Sequence, residues 1–238
     1  MYLVIDTTNK QAAVGIYVGK TLALSKCWDT NGSHTAELMP AIQDLFSAGS
    51  TSVSDLEGVV VAKGPGGFST LRAGLSVAKV LAFSLSVPLV GISTLEAIAS
   101  LHRDSGVVIC PLLDTGRNLV AWARFSAKNG SLVQFTSDRV TELEAVTAYK
   151  GRHTLFCGET LSVHKDRLKH ALGARAHFVE SGDVLSRLSG LMELGITRLI
   201  AGESDSLAAL QPHYLRSPTI SKPRPIAKVR YGAIRRQI

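Results

Sequence analysis

The segment Gly64-Pro-Gly-Gly-Phe-Ser-Thr-Leu-Arg72 carries the strongest chemical suggestion in the chain. Glycines that follow an apolar run let the backbone turn tightly and approach a ligand. A helix starting there points N–H groups at an anion. Arg72, one turn into such a helix, would add positive charge. Against this, neither G-x-x-x-x-G-K-S/T nor G-x-G-x-x-G is present, so no lysine is placed for a terminal phosphate. The spacing supports two readings: a phosphate cradle on Gly66 and Gly67, or a tight turn in which Gly64, Gly66 and Gly67 permit close packing.

Asp6 and Asp114 each end an apolar run and are each followed by threonine. In two-lobed phosphotransferases, carboxylates at such positions face the cleft and hold a metal through water. Equally, Asp caps tight turns through its own backbone, and Asp114 could pair locally with Arg117. The seven histidines form no H-E-x-x-H and no i, i+4 pair, the spacing that puts two imidazoles on one helix face. His34 reads as a surface or interface residue. Cys27, Cys110 and Cys157 are odd in number and widely spaced, which argues against a disulfide framework and a zinc site and for buried or half-buried thiols. There is no nucleophile elbow and no serine with an evident His and Asp partner.

The elements around these residues read as an alternation of strands and helices. Leu3–Ile5 and Ala12–Val18 predict a hairpin, with Thr21–Trp28 as a third strand. Leu38, Met39, Ile42, Leu45 and Phe46 fall at helical spacing, with Ser33 as candidate cap. Pro40 predicts that the helix begins close to it. A loop is expected at 50–54. Gly58–Ala62 and Pro88–Ile92 are continuous apolar runs, as in strands buried on both faces. Between them Leu71, Leu75, Ala78, Leu81, Ala82 and Leu85 mark a helix. Ser93 with Glu96 opens another, as a capping box. Val4–Tyr17 aligns without gaps on Leu112–Phe125, superposing Asp6 on Asp114, which indicates an internal duplication. In the second half, Thr154–Cys157 and Leu199–Ala201 predict strands, and 161–172 and 183–194 predict helices. The pattern is a largely parallel sheet flanked by helices in each half: an N-terminal lobe 1–103, a C-terminal lobe 104–220 and a tail 221–238.

The chain carries a net charge of +7, and Lys222, Arg224, Lys228, Arg230, Arg235 and Arg236 stand in the tail with no acid among them. Such a segment can contact phosphates nonspecifically or simply be solvated. The N-terminus lacks the pattern of a signal peptide, and no apolar stretch approaches the ~18 residues that span a bilayer. The expectation is a soluble cytoplasmic protein with no membrane contact.

Asp6-Thr-Thr, His34-Thr-Ala-Glu-Leu-Met-Pro-Ala-Ile42, the glycine segment through Gly74, Gly91-Ile-Ser-Thr-Leu95 and Pro212-His-Tyr-Leu-Arg216 occur in that order. Together they resemble the TsaB (YeaZ) family of tRNA threonylcarbamoyladenosine biosynthesis. That family's signature is GPGSFTGLRIG. Gly64, Pro65, Gly66, Phe68, Leu71, Arg72 and Gly74 match it; Gly67, Ser69, Thr70 and Ala73 depart from it. The resemblance implies the duplicated two-lobe α/β fold of actin, Hsp70-type chaperones and sugar kinases (ASKHA). It also implies a non-catalytic accessory subunit that pairs with a TsaD-like catalytic subunit, with a TsaE-like ATPase and tRNA in the same assembly and a homodimer as an alternative state. No cofactor is implied. The catalytic paralogue carries an H-x-x-x-H metal motif where this chain has Thr94 and Ile98, and neither side chain replaces a histidine ligand. The resemblance further implies a partner interface on the two helices flanking the glycine turn, drawn from Leu38, Met39, Leu45, Phe46, Leu75, Val77 and Leu81. Periodicity alone assigns these seven equally to core or interface. The rival readings are an ATP-dependent phosphotransferase or peptidase-like enzyme using Asp6, the glycine turn and Arg72, and a tRNA-binding module using the tail.

Overall fold

A computed structural model describes residues 1–30, 34–128, 130–149, 151–179 and 183–216. Ser33 and the basic tail lie outside the described residues.

The first sheet is built from β1 (Tyr2–Asp6), β2 (Gln11–Val18), β3 (Thr21–Asp29), β4 (Gly58–Gly64) and β5 (Leu89–Ser93), in the order β3-β2-β1-β4-β5. β1, β2 and β3 are antiparallel neighbours; β4 and β5 continue parallel to β1. The second sheet repeats this plan with β6 (Val108–Asp114), β7 (Val120–Trp122), β10 (Arg139–Thr141), β11 (Thr154–Cys157) and β12 (Ala176–Phe178), in the order β10-β7-β6-β11-β12. A short ribbon, β8 (Phe125–Lys128) and β9 (Ser131–Gln134), is inserted after β7. Two sheets with one topology in one chain are the duplication the ungapped alignment indicates. The alignment holds through β1 and β6 and then slips. Asp6 pairs with Ala13 but Asp114 with Val120, so the second turn is one residue shorter.

Continuous apolar runs become strands covered on both faces, because each face has its own helices. One face of the first sheet (Leu3, Ile5, Val14, Ile16, Val59, Val61) packs on α1 (His34–Ala48) and α2 (Phe68–Leu85). The other (Val4, Ala13, Tyr17, Val60, Val90, Ile92) packs on α6 (Val184–Ile200). In the second sheet, Cys110, Leu112, Trp122 and Phe156 pack on α4 (Leu143–Thr147) and α5 (Leu161–Leu172). The opposite face (Ile109, Leu113, Ala121, Phe125) is covered by Leu95, Ile98 and Ala99 of α3 (Thr94–Ser100). Each lobe therefore lends its last helix to the other: α3 follows the first sheet and covers the second, and α6 does the reverse. The C-terminal lobe read as 104–220 includes α6, whose packing belongs to the first sheet.

Several sequence expectations change. α1 starts at His34, six residues before Pro40. The carbonyl Pro40 cannot serve belongs to Ala36, and both residues are exposed, so water satisfies it and the interruption is tolerated. Leu199–Ala201 is the end of α6 rather than a strand, with Ile200 exposed. A three-residue apolar run does not distinguish the two. A 3₁₀ turn, Val53–Asp55, occupies the expected loop, held by a capping box between Ser52 and Asp55. Ser93 does cap α3, its Oγ accepting from the Glu96 N–H at 3.4 Å. Cys27 is exposed on β3, not buried. α2 is, among the described residues, one helix long and apolar enough by length and composition to cross a membrane. The expectation that no stretch reaches that length is corrected. The same helix places Leu75, Ala78, Leu81 and Ala82 in the first core.

After α6 the chain runs as a strap along β5. The Asp205 N–H donates to the Leu89 carbonyl (2.8 Å), and Asp205 Oδ2 accepts from the Gly91 N–H (2.7 Å) and from Arg198. Such a strap shields an otherwise open sheet edge. Burial pushes the Asp205 carboxyl up, but the Arg198 hydrogen bond and the Gly91 N–H outweigh it and hold it below its usual value. A depressed folded pKa gives stability that is present above the unfolded value of about 3.9 and lost as pH falls through the folded one. Acidification below about pH 4 is therefore expected to release the strap early. Hydrogen exchange at the Gly91 amide should accelerate there, and Asp205→Asn should remove that pH dependence.

Candidate functional site

A cleft of about 1020 Å³ opens between the lobes. Its walls bring together the β1–β2 turn (Thr8, Asn9, Lys10), the glycine turn (Pro65–Thr70), the β6–β7 turn (Asp114–Arg117) and the end of the strap (Tyr214, Leu215, Arg216). Gly66, Gly67 and Asp114, read from the sequence, meet here; Asp6 does not line it.

Asp6 is fully buried, and both its oxygens are engaged. Oδ1 accepts from the Thr8 N–H (2.9 Å) and the Thr8 hydroxyl (2.7 Å), the turn-capping pattern. Oδ2 accepts from Arg187 Nε at 2.7 Å. Arg187 is itself only 1% exposed and also pairs with Glu159 at the start of α5. Glu159 in turn accepts from the Asn9 side chain. The chain Asp6–Arg187–Glu159–Asn9 thus runs from the first lobe to the second and back, and it corrects the reading of Asp6 as a cleft-facing carboxylate. Asp114, at the equivalent strand end, is exposed to the cleft, and its Oδ1 caps the turn through the Gly116 N–H at 2.8 Å.

The glycine turn is packed from behind. Gly67 donates its N–H to the Thr8 carbonyl (2.9 Å), and the Thr7 hydroxyl donates to the Thr70 carbonyl (2.8 Å). A Cβ on Gly66 would lie 2.5 Å from the Thr8 oxygen, and one on Gly74 2.3 Å from Thr7 Oγ1. Gly66 lets two turns touch backbone to backbone, and Gly74 lets α2 close on the Thr7 side chain. Arg72 does not reach for an anion: its guanidinium lies 3.9 Å over the Phe68 ring, and Nε donates to the Tyr214 hydroxyl at 3.0 Å. His34 is buried rather than at the surface, with Nε2 donating to the Asn9 carbonyl at 3.0 Å. Thr94 and Ile98 are both buried on α3. Burial pushes the Cys110 thiol up to about 12 and Cys157 well above its usual value, so neither supplies a thiolate nucleophile.

Of the seven apolar positions offered for an interface, Leu38, Leu45, Phe46, Leu75 and Leu81 lie in the first core, with Val77 packed against it. Met39 is exposed. Sequence reading missed Val80 and Phe83 on α2, which are 63% and 76% exposed. Their signal was their phase, off the Leu71–Leu75–Ala78–Ala82 face. It also missed Arg187 and Glu159, and it quoted Tyr214 within a motif without giving it a contact.

Two duplicated α/β lobes around a cleft define a two-lobed protein of the ASKHA class, here with the first-lobe carboxylate withdrawn from the cleft into an ion pair. Known proteins narrow this. A family model described as "TsaD: tRNA N6-adenosine threonylcarbamoyltransferase" matches residues 29–215. The tRNA threonylcarbamoyladenosine biosynthesis protein TsaB of Bacillus subtilis is 31% identical over 217 residues, 90% of this chain and 93% of that protein. A tRNA N6-adenosine threonylcarbamoyltransferase of Syntrophus aciditrophicus is 46% identical over 81 residues, 34% of this chain and 24% of that one. The structure of YeaZ from Pseudomonas aeruginosa superposes with a TM-score of 0.72 over 90% of this chain and 99% of that one, at 22% identity. The chain belongs to the TsaB (YeaZ) family and takes part in tRNA threonylcarbamoyladenosine biosynthesis.

Proposed function

We propose that the chain is a non-catalytic accessory subunit of the assembly that adds threonylcarbamoyl to the adenosine 3′ of the tRNA anticodon, and that it docks a TsaD-like catalytic subunit through the solvent face of α1 and α2. The observation that carries this is the character of that face. Met39, Val80 and Phe83 stand exposed beside Ala36, Pro40, Gln43, Ser47, Ser76 and Ser84. Of the charges on the two helices, Asp44 pairs with Lys26, Glu37 accepts from the Trp28 indole, Arg72 stacks on Phe68, and Lys79 is half-buried. A surface poor in free charge and centred on an aromatic has the composition of an interface core. The engagement of Asp6 and Arg72 elsewhere supports the non-catalytic role. Cleft binding on Gly66, Gly67 and Asp114 stays a secondary proposal. A TsaE-like ATPase would join the same cytoplasmic assembly, and the basic segment beyond Arg216 would approach tRNA phosphates.

The test is Phe83→Asp. This side chain is largely in water, so the thermal stability of the isolated chain should stay within about 0.5 kcal/mol. Copurification with the catalytic subunit should weaken by about 30-fold or more, the loss expected at an aromatic anchor. Unchanged affinity would remove this face as the docking site. Turnover by the pure chain would remove the accessory role. Loss of self-association instead would assign the face to a homodimer. The buried Leu45 is unsuited to such a test, because a charge there disrupts the core first.

A further inference from the structure

Arg124 is a buried cation without an acidic partner. Its side chain follows β7 and is 3% exposed. The guanidinium stacks 4.4 Å over the Tyr149 ring, and Nη2 donates to the carbonyls of Val146 (3.2 Å) and Tyr149 (3.5 Å) at the end of α4. Nε, equally buried, has no acceptor among the described residues. No ion pair to Arg124 occurs among them either. Arg187, the other fully buried arginine, is held by both Asp6 and Glu159. Taking a guanidinium out of water costs several kcal/mol unless an anion and hydrogen bonds compensate. One carbonyl of a short helix and one just beyond it are a partial answer.

Arg124 forms part of the wall of a separate pocket of about 450 Å³ on the second lobe, with Ser126, Phe135, Tyr149, Gly151 and Arg152. None of these residues lines the interlobe cleft. The wall holds two cations and no carboxylate. Arg152 is exposed at the rim, and Phe135 is a half-exposed ring on the β9 side. The volume falls in the range of small-molecule sites, about 300–1,000 Å³. A guanidinium fork matches the two oxygens of a carboxylate or phosphate, and aromatic walls suit a flat apolar body.

We propose that this pocket binds a small organic anion, a carboxylate or phosphate carried on a planar apolar body. Arg124 and Arg152 take the anionic group, and Phe135 and Tyr149 take the body. The ligand supplies the counter-charge that the fold leaves out. The site is independent of the docking face and of the cleft.

The experiment is an NMR titration of the full chain with phenyl phosphate, benzoate and inorganic phosphate in parallel. Expected is saturable binding of at least one of the two aromatic anions. Shifts should be confined to Phe135, Tyr149, Arg152 and the Arg124 Nε–H, and inorganic phosphate should bind more weakly. Whichever aromatic anion binds more tightly identifies the group. Arg152→Ala and Phe135→Ala sit at exposed positions and leave the fold intact; each should weaken binding about tenfold, the scale of one charge-assisted contact. No saturation by either aromatic anion up to about 10 mM, shifts located elsewhere, or affinity unchanged in both variants would overturn the proposal.

Discussion

Replacing Arg187 with alanine is expected to destabilise the protein by about 3–5 kcal/mol, the loss seen when one partner of a buried ion pair is removed. The carboxylate of Asp6 would remain fully buried, still capped by Thr8 but without its cation. Glu159 would keep only the Asn9 contact among those described from the network. At this chain length about 2–4 °C is lost per kcal/mol, so the melting temperature should drop by roughly 6–20 °C. The contrast with a double change makes the result specific. Asp6→Asn with Arg187→Met neutralises the fully buried pair but leaves the partly exposed Glu159 with Asn9 alone, so it should recover only part of the loss. A single substitution costing under about 1 kcal/mol in denaturant melts would show that the network does not hold the lobes together.

Gly190→Ala should be the second severe substitution. Gly190 sits on α6 where it crosses α3, and a Cβ there would lie 2.1 Å from the Ala97 carbonyl oxygen and 2.9 Å from its carbon. Two effects oppose each other. Alanine is the better helix former by about 1 kcal/mol. Overpacking costs about 1–3 kcal/mol, and here the obstacle is backbone rather than a flexible side-chain tip, which puts it at the upper end. The net expectation is a loss of about 2 kcal/mol, read from urea unfolding. Gly151→Ala, where a Cβ meets nothing within 4 Å, is the control and should stay within about 0.5 kcal/mol. A Gly190 variant as stable as its parent would mean that the two helices can slide apart at this point.

How much of the molecule is legible in its sequence depends on the range of the interactions concerned. Strands such as Gly58–Gly64 and helices such as Leu161–Leu172 are legible because burial on one or both faces imposes its own period. The repeat was visible because Asp-Thr ends a buried strand twice. The missing residue in the second turn was not, since an ungapped alignment has no way to express it. The capping roles of Asp6 and Asp114 are local and could be read. The pairing of Asp6 with a residue 181 positions away could not. A hint existed in Arg187, a charge at the apolar phase of a helix beside Val184, Leu188 and Leu191. Core and docking face were mixed for a similar reason. α1 and α2 are apolar on more than one side, and only packing tells Leu45 and Leu75 from Val80 and Phe83.

The exchange of α3 and α6 between the lobes also has a consequence in time. A chain leaving the ribosome completes β5 at Ser93, yet the helix that covers one face of that sheet ends at Ile200. Roughly 100 residues separate the two, about 5–20 s of synthesis at ordinary elongation rates. Throughout that interval Val4, Val60, Val90 and Ile92 lack the α6 side chains they rest on in the finished protein. The nascent first lobe therefore presents a greasy, half-finished surface of the kind chaperones hold. The halves would not be expected to mature as separately expressed fragments, and a premature stop before α6 would leave an insoluble product rather than a smaller working one.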